Sequence, residues 1–185
     1  MLCVGLVVSL LLGEGTVSMT IESDIVQIKV QEERLRFSKF DEADAWALGS
    51  LLRAASIARK LPMVIDIRVA GRALFFAALP GASPDNAEWA RRKINTVMRY
   101  HKATYRISRE ITLSGQKLDE SRGVHPIDIA AAGGGFPIHI IGTGVVGAMA
   151  VSGIPQREDH NLVVECLCQF LGIDPAGIAL GLESA

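Results

Sequence analysis

Residues 133–155, GGGFPIHIIGTGVVGAMAVSGIP, decide how the chain folds. Gly142, Gly144 and Gly147 spell G-x-G-x-x-G behind the apolar run from Pro137 to Ile141, and Glu165 lies near the distance of a ribose-binding acid. The helix that such a fingerprint opens would run only from Val145 to about Val151 before Ser152-Gly153-Ile154-Pro155 stops it. Too few residues follow to complete a doubly wound sheet. The stretch therefore reads as a β-hairpin. Ile138, Ile140 and Ile141 form one strand, Gly142-Thr143-Gly144 turn it, and Val145 to Ser152 return, with Gly147 and the alanines where packing is close.

Working outward, helical and strand periods alternate with no linker, low-complexity tract or repeat. Ile21, Ile25, Ile28 and the residues from Val30 to Leu35 give a first helix leading into a short strand around Arg34 to Phe37. Asp41 caps a second helix, with Asp44 favouring its positive end and Leu48, Leu51, Leu52 and Ala55 as its buried stripe. Val64, Ile65 and Ile67 begin a strand, Ala70-Gly71-Arg72 turn it, and Ala73 to Leu79 return. Ser83 and Pro84 then start a helix in which Ala90, Ile94, Val97, Met98 and His101 share one face. Thr104 to Leu113 is helical again, and after the hairpin Val163, Cys166, Leu167 and Phe170 mark the inner face of a last helix. Five short strands, mainly in hairpins and flanked by helices, define an antiparallel α+β domain.

The chain has 185 residues, 49% of them hydrophobic, enough for one substantial core. Its net charge of −1 gives no general attraction to nucleic acid or to an anionic membrane. Three cysteines, Cys3, Cys166 and Cys168, lack metal-ligand spacing and suit a reducing compartment. The apolar run from Met1 to Leu12 is too short to span a bilayer as a helix and has no basic residue before it. It reads either as an unusual export signal or, the reading preferred, as part of a non-domain extension, 1–18, ahead of a natural start at Met19. One domain, 19–173, and a tail, 174–185, complete the organisation, and the location expected is the cytoplasm.

Gly134-Gly135-Phe136-Pro137-Ile138, Gly144-Val145-Val146-Gly147-Ala148 and Val151-Ser152-Gly153 together resemble the GlcG/HbpS-like haem-degrading-domain family. Gln31 to Phe37, Trp89 to Lys93 and Pro155 to His160 narrow the resemblance to a largely uncharacterised branch. It implies a profilin-like three-layer α/β/α fold with a five-stranded antiparallel sheet, a symmetric homo-oligomer, and haem or a related tetrapyrrole as ligand. That branch often carries His directly before the paired glycines, where this chain has Ala132.

The residues themselves nominate further candidates. Arg91, Arg92, Lys93, Arg99, Lys102, Arg106 and Arg109 form a run with no intervening acid, suited to an anionic ligand such as phosphate or haem propionates, or to the acidic region from Glu22 to Asp44 of another subunit. The basic positions wind around the helix, which argues against nucleic acid. His101, four residues from Tyr105, suits an axial haem ligand or a general base, and Asp159 can orient His160. Gly134 and Gly135 let backbone approach a ligand, with Phe136 following them. No histidine has a partner that defines a metal site, and the Cys166-Leu167-Cys168 spacing on a helix separates the thiols. The ligand-binding set expected is thus His101, Tyr105, Arg92, Lys93, Gly134, Gly135, Phe136 and His160. The function expected is a small-molecule-binding or sensing module, with an accessory scaffold and a haem-degrading enzyme as alternatives.

Overall fold

The computed structural model describes residues 20–118 and 123–180; the expected extension 1–18 lies outside them. The elements run α1 (Ile21–Arg34), α2 (Glu42–Ala58), β1 (Val64–Val69), β2 (Arg72–Ala78), α3 (Pro84–Tyr100), α4 (Thr104–Ser114), β3 (Gly135–Ile140), β4 (Gly144–Ser152) and α5 (Gln156–Leu171). The G-x-G-x-x-G run is a hairpin. β3 pairs antiparallel with β4, Phe136 opposite Met149, and Gly144 faces Ile140 across the turn.

The sheet has four strands in the order β2-β1-β4-β3, every neighbour antiparallel, rather than the five expected. The strand placed at Arg34 to Phe37 is the difference. α1 stays helical to Arg34, and the cap of α2 starts at Asp41, so little chain is left to pair. Phe37 alone bridges to Ile140 in parallel: its N–H donates to His139 O at 2.9 Å and its carbonyl accepts from Ile141 N at 2.9 Å.

Alternation along the strands builds three layers. Val64, Ala148 and Ala150 face α3 through Ala90, Ile94 and Val97, and the small alanines bring that helix close. Ile65, Ile67, Phe136, Ile138, Met149 and Val151 face the other way, toward Leu48 and Leu52 of α2 and Val163 and Leu167 of α5. α1 lies along α4. Gly147 sits where a Cβ would overlap the Arg68 carbonyl, so glycine is what lets β1 and β4 pair there.

Two boundaries differ from expectation. The 174–185 segment is not a tail throughout: Ile178 and Leu180 are buried in the main core, and Gln27 Nε2 and Gln31 Nε2 donate to the carbonyls of Gly177 and Ile178 at 2.7 and 2.6 Å. The apolar face of α3 stops at Val97. Met98 is exposed, and His101 leaves the helix in the left-handed conformation, φ 53°.

Candidate functional site

The start of α3 and the corner between β4 and α5 border an open cavity of about 310 Å³. Ser83 and Asn86 fix the first turn of α3, with Ser83 N donating to Asn86 Oδ1 at 2.8 Å and Ser83 Oγ to the same oxygen at 3.0 Å. One turn on, Trp89 Nε1 donates to Asp85 Oδ2 at 2.9 Å, and the Arg92 guanidinium lies 4.7 Å from the Trp89 ring centre. These contacts set the rim.

Lys93, the next inward position on α3, is 2% exposed and lines the same cavity. Its Nζ donates to Asp159 Oδ2 at 2.7 Å and to Val151 O at 2.8 Å. Asp159, on the first turns of α5, also accepts from Ile154 N at 3.3 Å. Room for the ammonium comes from Gly134. At φ 110° it adopts a conformation that other residues rarely take, and a Cβ there would stand 3.0 Å from Lys93 Nζ and 2.5 Å from Val151 O. Burial pulls the Lys93 pKa below its ordinary value, against the attraction of Asp159. Burial likewise lifts Asp159 to about 6, against Lys93.

Three side chains around this pair carry donors that reach no group among the described residues. Asn86 turns its oxygen to Ser83, Gln156 accepts from Ser108 Oγ at 3.1 Å through Oε1, and the NH2 of each is unused, as is the Ser152 hydroxyl. None of these donors is buried, so each is open to solvent on the cavity side and can serve a ligand with acceptor oxygens.

A second polar cluster lies deeper. Arg157 grips Asp24 through two bonds, NH1 to Oδ2 at 2.6 Å and NH2 to Oδ1 at 3.0 Å, and NH1 also donates to the Tyr105 hydroxyl at 3.1 Å. The Tyr105 ring lies 5.2 Å from that of His160, and Phe136 lies 6.1 Å from His160 on another side. Gln31 gives its NH2 to Ile178 O, so its Oε1 faces His160 Nε2 at 2.8 Å and the imidazole must donate there. Among the described residues His160 Nδ1 has no partner, and burial with Arg157 nearby pushes the ring's pKa down to about 3. Burial raises the Tyr105 phenol, opposed by Arg157.

The expected site residues thus part into groups. Lys93 and Gly134 meet at the cavity, and Gly135 is fixed beside them by its N–H to Thr104 Oγ1 at 2.9 Å. Tyr105, Phe136 and His160 come together but are sealed in the core, each at most 1% exposed. Asp159 spends itself on Lys93 and does not orient His160. Arg92 holds the 126–129 segment, donating to Pro126 O at 2.8 Å and Ile129 O at 3.0 Å. His101 is exposed whereas Tyr105 is buried, and α3 ends between them; His101 and Arg36 both act on the charge of His139.

The basic run is largely neutralised within the chain. Arg91 pairs with Glu88 and Asp128, Lys102 with Glu110, and Arg106 with Glu32 and Glu110. The acidic partner expected on another subunit is therefore supplied, at Glu32, by the same chain. Asp85, Asn86, Trp89, Ser152 and Gln156 were not among the expected ligand-binding residues, and Asp159 was expected only to orient His160. Trp89, Ser152, Gln156 and Asp159 lie within the motifs that carry the family resemblance, which was the signal available for them.

An antiparallel sheet between helical layers, with a polar cavity beside it, defines an α+β fold. Over residues 40–168 the chain matches the family described as haem degrading protein HbpS-like, and it belongs to that family. A UPF0303 protein of Mesorhizobium japonicum is 46% identical over 166 residues, covering 90% of this chain and 99% of that one. A UPF0303 protein of Acidobacterium capsulatum is 48% identical over 158 residues, 85% and 96% of the two chains. Among solved structures, the Ybr137w protein superposes with a TM-score of 0.72 at 27% identity over 80% of this chain and 87% of its own. The haem complex of PduOC gives 0.60 at 21% identity over 70% and 93%, a likeness of fold. Among the described residues no helix is long and apolar enough to cross a membrane.

Proposed function

We propose that this chain is a small-molecule-binding module whose ligand occupies the cavity between α3 and the β4–α5 corner. The carrying observation is the set of idle donors on Asn86, Ser152 and Gln156 around a buried Lys93–Asp159 pair. Strongly displaced acid–base groups in a cleft mark candidate functional sites. The ligand that fits is small and bears acceptor oxygens.

Haem is the ligand suggested by the family description and by the PduOC haem complex. Its iron takes His, Cys, Met or Tyr, and no residue lining the cavity is one of these; Ala132 lines it where the branch pattern often has His. Haem does not fit there. A second reading puts it at the sheet edge, beside His139 of β3, whose charge is influenced by His101 and by Arg36, the latter paired with Glu33.

We also infer a homo-oligomer assembled by pairing β2 with β2 of a second copy. β2 is an edge strand, and Phe76 on it and Trp46 beside it are 53% and 67% exposed. Free buried thiols at Cys166 and Cys168 support a cytoplasmic location.

One experiment addresses these readings. Native mass spectrometry and visible absorbance on protein from its own host are expected to show a multimer carrying a co-purifying mass well below that of haem. Asn86→Ala with Gln156→Ala should lose that mass, and Trp46→Glu with Phe76→Glu should release monomers. A ligand retained by the first variant overturns the cavity assignment. A haem absorbance band abolished by His101→Ala or His139→Ala moves the ligand to the edge.

A further inference from the structure

We propose that Lys93 is an imine-forming amine and that the cavity's ligand is a small aldehyde or ketone attacked by Lys93 Nζ. This rests on the cavity being the ligand site. A lysine becomes a nucleophile when it is desolvated, lacks a competing solvent shell and has a base at hand. Lys93 meets these conditions: its side chain is 3% exposed, Asp159 Oδ2 is 2.7 Å from Nζ, and the residue lines the cavity through which a carbonyl compound would reach it.

The step balances without an oxidant or reductant. The Lys93 ammonium passes one proton to Asp159, and the nitrogen lone pair bonds to the carbonyl carbon while the C=O π electrons go to oxygen. That oxygen takes a proton, giving a carbinolamine. A second proton from nitrogen reaches the hydroxyl by way of Asp159, the C–O bond breaks, and water leaves. The sum is RR′C=O and Lys–NH3+ giving RR′C=NH+–Lys and one H2O. Ser152 Oγ, Asn86 Nδ2 and Gln156 Nε2 are the donors available to the carbonyl oxygen as it gains charge. Burial weakens the hold of Lys93 on its proton and strengthens that of Asp159, so transfer between them costs less than between exposed partners.

A purely structural pair that ties α3 to α5 would show none of this reactivity. The full chain is incubated at neutral pH with acetaldehyde, acetone or pyruvate and sodium cyanoborohydride, then digested and mapped. An amine whose pKa is lowered carries more free base at neutral pH, so reductive alkylation of Lys93 should exceed that of exposed Lys39. Lys39 is held protonated by Asp41 and Asp44. Lys93→Arg, which keeps the charge and cannot form an imine, should lose the adduct yet still answer pyruvate through tryptophan fluorescence. Alkylation of Lys93 no faster than of Lys39 in the wild-type chain overturns the inference. If the fluorescence response persists in that case, the cavity reading stands alone; if pyruvate, acetone and acetaldehyde all fail in both measurements, the carbonyl class falls, and the host-protein mass measurement decides the cavity.

Discussion

Asp159 and His160 are adjacent in the first turns of α5, and the fold displaces their acid–base behaviour in opposing senses. Burial lifts Asp159 from 3.8 to about 6. Burial, with Arg157 nearby, drops His160 from 6.5 to about 3. A folded-state pKa above the unfolded one means the folded chain takes the proton first, so Asp159 adds stability as pH falls from about 6 to 3.8 and loses that contribution above 6. His160 does the reverse. The unfolded chain protonates its imidazole below 6.5 while the folded one stays neutral to about 3, so stability declines across that window. Between about pH 4 and 6 the two largely cancel. Asp159→Asn removes one side of the balance, and its stability relative to the wild type should fall on acidification by up to about 1.4 kcal/mol per pH unit. Urea denaturation at a series of pH values reads this directly, and parallel profiles for the two proteins would refute it.

At the scale of elements, the β1–β2 turn holds a correctable strain. Ala70 and Gly71 both have positive φ, 50° and 79°, the geometry of a two-residue hairpin turn. Glycine adopts it freely, whereas for alanine the left-handed region costs about 1–2 kcal/mol. Ala70 is exposed, and its N–H donates to Val146 O at 3.1 Å, a bond that a side-chain change leaves intact. Ala70→Asn should therefore stabilise the protein by about 1 kcal/mol, seen as a higher urea midpoint at unchanged slope. An unchanged midpoint would place the strain elsewhere. This turn, the Asp41–Asp44 capping box and the Ser83-Pro84 start were legible in the sequence because each is settled within four residues. The single bridge at Phe37 was not, since its partner Ile140 lies in another part of the chain. Lys93 shows the same limit inside the candidate site. Three successive basic residues look like one patch, but helical positions turn by about 100° each, so Arg91, Arg92 and Lys93 go to separate partners. That Lys93 is the buried one depends on Asp159, 66 residues away.

Across the whole molecule, α5 is the common anchor. Its first turns bind α1 through Arg157 and Asp24 and, across the sheet edge, α3 through Asp159 and Lys93. The 174–180 segment completes this arrangement by burying Ile178 and Leu180. A chain ending at Asp174 should lose roughly 1.5–3 kcal/mol for each of those side chains, measured by thermal or urea unfolding. Loss of neither would mean that the segment merely rests on the surface. A second consequence follows from the relay Ile178 carbonyl, Gln31 amide, His160 imidazole. Without the carbonyl nothing dictates which end of the Gln31 amide faces the ring, and an NH2 turned inward would favour the opposite imidazole tautomer. The identity of the nitrogen that keeps its hydrogen, deep in the core, is thus set by a backbone atom 147 residues from the glutamine that reports it, and nitrogen-15 shifts of His160 in the full and shortened chains would register the exchange.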